Sequence, residues 1–185
     1  MTQPIERRSF DLRAEQRTEG EALHLIGHCA VFDALSEEMG YFSPFRERIA
    51  QGAFDGALRQ INRDNPVYAL FNHDPNFVIA STLTDTLRLS VDSVGLVADI
   101  IPRDSAIIRD MVVEPILSGD INKMSFGFTV GDEHEEKVGG KTIRVIDRIE
   151  HLYDAAPVTY PAYPTTDVQA REVYRALGLN PATLS

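Results

Sequence analysis

Apolar and polar positions along most of this chain alternate over short distances. Leu87, Leu89 and Val91 are set against Arg88, Ser90 and Asp92 within the run Thr86 to Val91. Further β-branched or aromatic runs occupy Leu23 to Phe32, Val67 to Phe71, Leu96 to Ile101, Met124 to Val130, Lys141 to Ile149 and Leu152 to Thr159. Such runs, several of them with a period of two, are what strands with a buried face require. Asp92-Ser93-Val94-Gly95 and Val138-Gly139-Gly140-Lys141 separate consecutive runs, and turn residues of this kind predict antiparallel hairpins.

Helical spacing breaks the pattern in three places. Gly52 to Arg63 carries Phe54, Leu58 and Ile61 on one side, and Ser105 to Leu117 carries Ile107, Ile108, Met111, Val112 and Ile116, with Asp104 as its N-cap. Pro115 is expected to kink or end the second helix, since it removes a backbone donor and crowds the preceding turn, and Gly119 marks the exit. A third helix is predicted over Asp167 to Leu177, with Thr166 and Gln169 in capping-box spacing and Gly178 as its stop, followed by a loose tail from Asn180. The helices fall between strands without regular βαβ alternation. The expected class is therefore α+β, a mainly antiparallel β-barrel or sandwich flanked by helices, with one domain over residues 1–166 and a C-terminal helix and tail over 167–185.

Composition adds mostly exclusions. Of the 185 residues, 43% are apolar and 25% charged, the balance of a folded chain, and a net charge of −10 disfavours binding to phosphate backbones, so no nucleic acid is expected as partner. No run reaches the ~18 apolar residues of a membrane span, and Met1 to Phe10 carries charges where a signal peptide needs apolar residues, which predicts a cytoplasmic protein without membrane contact. The lone Cys29 has no intrachain disulfide partner and sits in an apolar run, so it reads as a small buried hydrophobe.

Candidate chemistry is sparse. In Lys123 to Val130, the period of two puts Met124, Phe126, Phe128 and Val130 on a core face and Ser125, Gly127 and Thr129 on an open one. A hydroxyl beside glycine leaves room for a substrate backbone, although most exposed serines are inert. His73 stands where an apolar strand ends in a turn signalled by Asn72, Asp74 and Pro75, a place for a general base or for a histidine that only closes the turn. Glu150 and Asp154 share a strand face on simple alternation while His151 points away, and either acid could orient an imidazole or be a solvated charge. Asp132-Glu133-His134-Glu135-Glu136 reads as a solvated hairpin tip rather than a metal site. The nucleophile elbow G-x-S-x-G, the phosphate-cradling loop and paired C-x-x-C are all absent, and no cofactor or metal is expected.

Taken together, Gly52-Ala53-Phe54 after Glu47, Asn72-His73-Asp74, Gly95-Leu96, Met124-Ser125-Phe126-Gly127-Phe128 and the run from Pro157 to Pro164 resemble the prohead protease family of tailed bacteriophages, from about Ile5 to Thr165. The resemblance implies a serine endopeptidase with a fold like the β-barrel of the herpesvirus capsid maturation proteases. It implies that the enzyme trims scaffold segments and major capsid protein extensions inside the immature procapsid, in the cytoplasm of a bacterial host, and it leaves a homodimer open. Carried over by position, His73 is the base and Ser125 the nucleophile. The third seat, usually Glu in this family, falls on Asp154, with Glu150 as fallback. Asp is one methylene shorter, so the resemblance requires a closer histidine or a bridging water. It leaves an inactive shell-binding protein of the same fold as the alternative.

Overall fold

A computed structural model describes residues 5–11, 22–36, 38 and 45–160. The predicted helix at Asp167 to Leu177, the tail and the segment Pro161 to Pro164 lie outside the described residues.

The described residues form nine strands in order: β1 (Glu6–Asp11), β2 (Leu25–Val31), β3 (Arg46–Ile49), β4 (Tyr68–Leu70), β5 (Val78–Ser81), β6 (Leu87–Val91), β7 (Gly95–Ile100), β8 (Lys123–Val138) and β9 (Lys141–Val158). They form a six-stranded sheet, ordered β1-β8-β9-β4-β5 with β3 also on β9, and a three-stranded sheet, β2-β7-β6. Neither closes on itself, so the described residues form a strand-rich α+β fold of two sheets in place of the expected closed barrel. Strand pairing is mainly antiparallel, as expected, while β3 and β4 both run parallel to β9.

The frame of the large sheet is the hairpin β8–β9. Its tip is Gly139-Gly140, both in the left-handed region (φ 60° and 80°), as a two-residue turn matched to strand twist requires. Lys141 to Ile149 and Leu152 to Thr159, read from the pattern as two strands, are one. Asp132 to Glu136 is not a loop but the outer half of β8. There its charges find partners across the sheet: Glu133 with Arg144, His134 with Asp147, and Glu136 with Arg48.

The core lies between the sheets. Phe126 stacks on Phe128 at 4.7 Å and meets the edge of Phe54 at 5.5 Å, and all three rings are fully buried. Each contributes roughly 1.5–3 kcal/mol by burial. Cys29 belongs to this core, as expected. Burial first, then the nearby Asp154 carboxylate, push its thiol far above the ordinary value, which leaves it protonated and unreactive.

The helices are shorter than their patterns. Over Gly52 to Arg63 only Asp55–Arg59 is α-helical (α1). The second run, α2, comprises Ala106–Ile108, a wider π turn at Arg109–Val113, and Glu114–Ser118. Pro115 does not end α2. It falls in the first turn after the π segment, where a missing amide donor does little harm, and Gly119 closes the helix at φ 88°. None of the described helices is long and apolar enough to cross a membrane.

The strands β1 and β3 were not legible in the apolar pattern because both are charged. Arg8 donates to both oxygens of Glu47, one bond measuring 2.6 Å, and Arg144 of β9 reaches Glu47 at 3.0 Å and Glu6 at 2.8 Å. Arg8 and Glu47 are 7% and 3% exposed, and although Arg8 also bonds Glu6 at 2.6 Å, loss of Glu47 removes two charge-assisted bonds from a buried guanidinium and one from Arg144. Glu47→Ala is expected to cost about 3–5 kcal/mol. In a chain of this size that lowers the melting temperature by on the order of 10 °C, measurable by circular dichroism.

Candidate active site

Ser125 lies near the start of β8, paired with Ser9 on one side and Ala156 on the other. The alternation of β8 is regular from Lys123 to Val130, so Ser125, Gly127 and Thr129 do share the face opposite the phenylalanines. That face is not open: Ser125 is 0% and Thr129 4% exposed. Part of the cover over it is the turn that follows β4.

This turn spans Phe71–His73 and packs against β9. Asn72 and His73 both take left-handed backbone conformations, φ 53° and 58°, which reverse the chain sharply and carry strain for residues with a Cβ. The Asp74 amide bonds the Phe71 carbonyl at 3.0 Å, and the Asp74 carboxylate accepts the Asn76 amide at 2.8 Å, as turn chemistry at Asn and Asp predicts. The result aims the imidazole of His73 back onto the sheet, its side chain 9% exposed.

Asp154 sits mid-sheet, opposite Gly127 on β8 and Tyr68 on β4. The residue is 5% exposed, and its carboxylate lies directly over Gly127, where an added Cβ would come within 2.6 Å of Oδ2. Gly127 therefore makes room for this carboxylate, rather than for a substrate backbone as its sequence position suggested. With that space available the shorter side chain reaches its partner without a bridging water: His73 Nδ1 to Asp154 Oδ1 is 2.6 Å. On the other side of the ring, His73 Nε2 to Ser125 Oγ is 2.7 Å. Gly127→Ala is expected to push the carboxylate aside and lower kcat by roughly 10²-fold, the scale set by a 1 Å misplacement. Steady-state rates measure this.

Glu150 is not part of this arrangement, since it pairs with Arg148. Simple alternation fails here because β9 carries two bulges between Ile149 and Asp154: the ladder runs Val130↔Ile149, Thr129↔His151, Phe128↔Leu152, Gly127↔Asp154, so Glu150 and Tyr153 are extra residues. The bulges also correct the expectation for His151, which faces the same side as Asp154, beside Thr129. The Thr129 hydroxyl and His151 Nδ1 are buried there without hydrogen-bond partners. Sequence reasoning placed Asn72 in the turn and in the Asn72-His73-Asp74 element of the resemblance, with no role of its own. Its amide group bonds Thr159, just past the end of β9. Among the described residues no group of three or more His, Cys, Asp or Glu is placed to hold a metal ion.

A serine hydroxyl bonded to an imidazole, whose other nitrogen is held by a buried carboxylate, is the arrangement by which serine hydrolases activate a nucleophile. A family model described as caudovirus prohead serine protease matches residues 8–177 of the 185, and the chain belongs to that family, which implies serine peptidase activity. No curated protein and no solved structure matches the chain significantly.

Proposed function

We propose that this chain is a serine endopeptidase that trims capsid-protein extensions and scaffold segments within an immature phage shell, with Ser125 as nucleophile, His73 as base and Asp154 as the acid that orients it. The observation that carries the reading is the continuous hydrogen-bonded line Oγ–Nε2 and Nδ1–Oδ1, at 2.7 and 2.6 Å.

In this mechanism Nε2 of His73 accepts the proton of Ser125 as Oγ attacks the scissile carbonyl. Asp154 accepts the Nδ1–H bond, fixes the tautomer and stabilises the imidazolium. His73 then protonates the leaving amine, and a water activated by the same nitrogen hydrolyses the acyl-enzyme. The oxyanion needs donors that the sheet does not already engage. Backbone amides near Ser125 or in the turn Ser118-Gly119-Asp120, where the Gly119 amide already bonds the Ile116 carbonyl, are the candidates.

Ser125 has no exposed surface, so acylation requires a local displacement that uncovers Oγ. Slow turnover of free peptides is expected, with confinement among many substrate copies raising the effective concentration. Family membership supports capsid proteins as substrates and the procapsid as the place of action. The likeness to the herpesvirus maturation protease fold and the division at residue 166 belong to the same proposal.

The test is co-expression with the major capsid protein of the same genome, with the capsid protein's N-terminus read by intact mass. A shortened capsid protein, together with covalent labelling of Ser125 by a fluorophosphonate, supports the proposal. An intact capsid protein in shells that contain the unlabelled chain overturns it in favour of a structural role.

A further inference from the structure

The turn that carries His73 is closed by bonds within itself, but those bonds do not fix it against the sheet. The Phe71 amide bonds the Phe77 carbonyl at 3.1 Å and the Phe77 amide bonds the Asp74 carbonyl at 2.9 Å, both inside the β4–β5 connection. Hydrogen bonds internal to a loop do not by themselves hold it against a tilt, and a tilt displaces the imidazole relative to Ser125 and Asp154.

Beside the packing of the turn on β9 and the bonds of His73 itself, a tie to the sheet comes from the side chain of Asn72. Its Oδ1 accepts the Thr159 amide at 2.8 Å, and its Nδ2 donates to the Thr159 hydroxyl at 3.3 Å. Thr159 directly follows Val158, the last residue of β9, and on that strand Asp154 holds the imidazole while Ala156 pairs with Ser125. One carboxamide thus links the histidine turn to the strand that sets the positions of both its partners.

We propose that Asn72 is a positioning residue that, through Thr159, fixes the His73 imidazole in line between Ser125 and Asp154. This rests on the reading of His73 as base. The competing account is that Asn is present only because it tolerates the left-handed backbone at φ 53°. Glycine separates the two, since it adopts that conformation more readily but has no side chain to bond Thr159.

The experiment compares wild type, Asn72→Gly and Asn72→Asp on a capsid-derived peptide, with fluorophosphonate labelling of Ser125 as a readout of nucleophile reactivity independent of peptide binding. Asn72→Gly is expected to lower kcat and the labelling rate together by about 10²-fold with KM within about twofold, the signature of lost orientation. Asn72→Asp, which keeps the acceptor for the Thr159 amide, is expected to recover the rate to within about tenfold of wild type. Thermal melts establish that the variants fold. If Asn72→Gly does not, Asn72→Ser takes its place, because a hydroxymethyl group is too short to span to the Thr159 amide. Wild-type rates in the glycine variant, or a loss confined to KM, overturn the proposal. A wild-type chain that is never labelled at Ser125 overturns the catalytic reading itself, and this proposal with it.

Discussion

Replacing Ser125 by alanine is expected to lower cleavage of the capsid protein by on the order of 10⁵–10⁶-fold, the loss that follows removal of a nucleophile acting with its base as a unit. The fold should survive. The side chain loses one oxygen in a buried position beside Gly127, and the hydrogen bond given up contributes only about 1 kcal/mol. His73 keeps its bond to Asp154. Intact mass of the co-expressed capsid protein reads the cleavage, and a melting curve within a few degrees of wild type separates lost chemistry from lost structure. A Ser125→Ala chain that still shortens the capsid protein would place the nucleophile elsewhere.

Asp154→Asn is expected to lower kcat by about 10⁴-fold, close to 5.5 kcal/mol of barrier, with little change in KM. The carboxamide is nearly isosteric and fits the space over Gly127. However, it can donate to Nδ1 as well as accept from it, and the donating orientation holds the ring in the tautomer that carries its proton toward Ser125. The charge that stabilises the imidazolium is also lost. Glu150→Gln is the control, since Glu150 pairs with Arg148 and should leave the rate unchanged. Equal losses in the two variants would mean that carboxylates act here through general charge rather than through one oriented contact. Single-turnover rates measure both.

The parts of this fold that could be read from sequence are those set by near neighbours. Alternation at Leu87 to Val91, the turn at Asp92 to Gly95 and the paired glycines at the β8–β9 tip each report a local backbone preference, and the strands and hairpins follow them. The helices were over-read for the opposite reason. Apolar spacing over Gly52 to Arg63 reflects burial of Phe54 and Ala57, but burial does not need helical geometry throughout, and only five residues adopt it.

The strands β1 and β3 escaped notice because their stability is not local. A run such as Arg46-Glu47-Arg48-Ile49 has no apolar face to announce it. It becomes a strand because Arg8 and Arg144 satisfy Glu47 from other strands. The outer half of β8 is the same case, with cross-strand charge pairs taking the place of an apolar face.

At the candidate site, residue type and immediate setting were legible: a serine two positions before a glycine on a strand, a histidine at a strand end, an acid near the end of the chain's last strand run. That these belong together was implied by resemblance and could not come from spacing, because 52 residues separate Ser125 from His73 and 81 separate His73 from Asp154. Sequence by itself determined the local periods, the turns and the supply of chemical groups, since those depend on each residue and its neighbours. Only the tertiary structure decided which acid meets the imidazole. Two bulges shift the phase of β9 between Ile149 and Asp154, and the absent side chain of Gly127 leaves the space in which the Asp154 carboxylate lies, so the choice rests on how strands register across a sheet rather than on any residue alone.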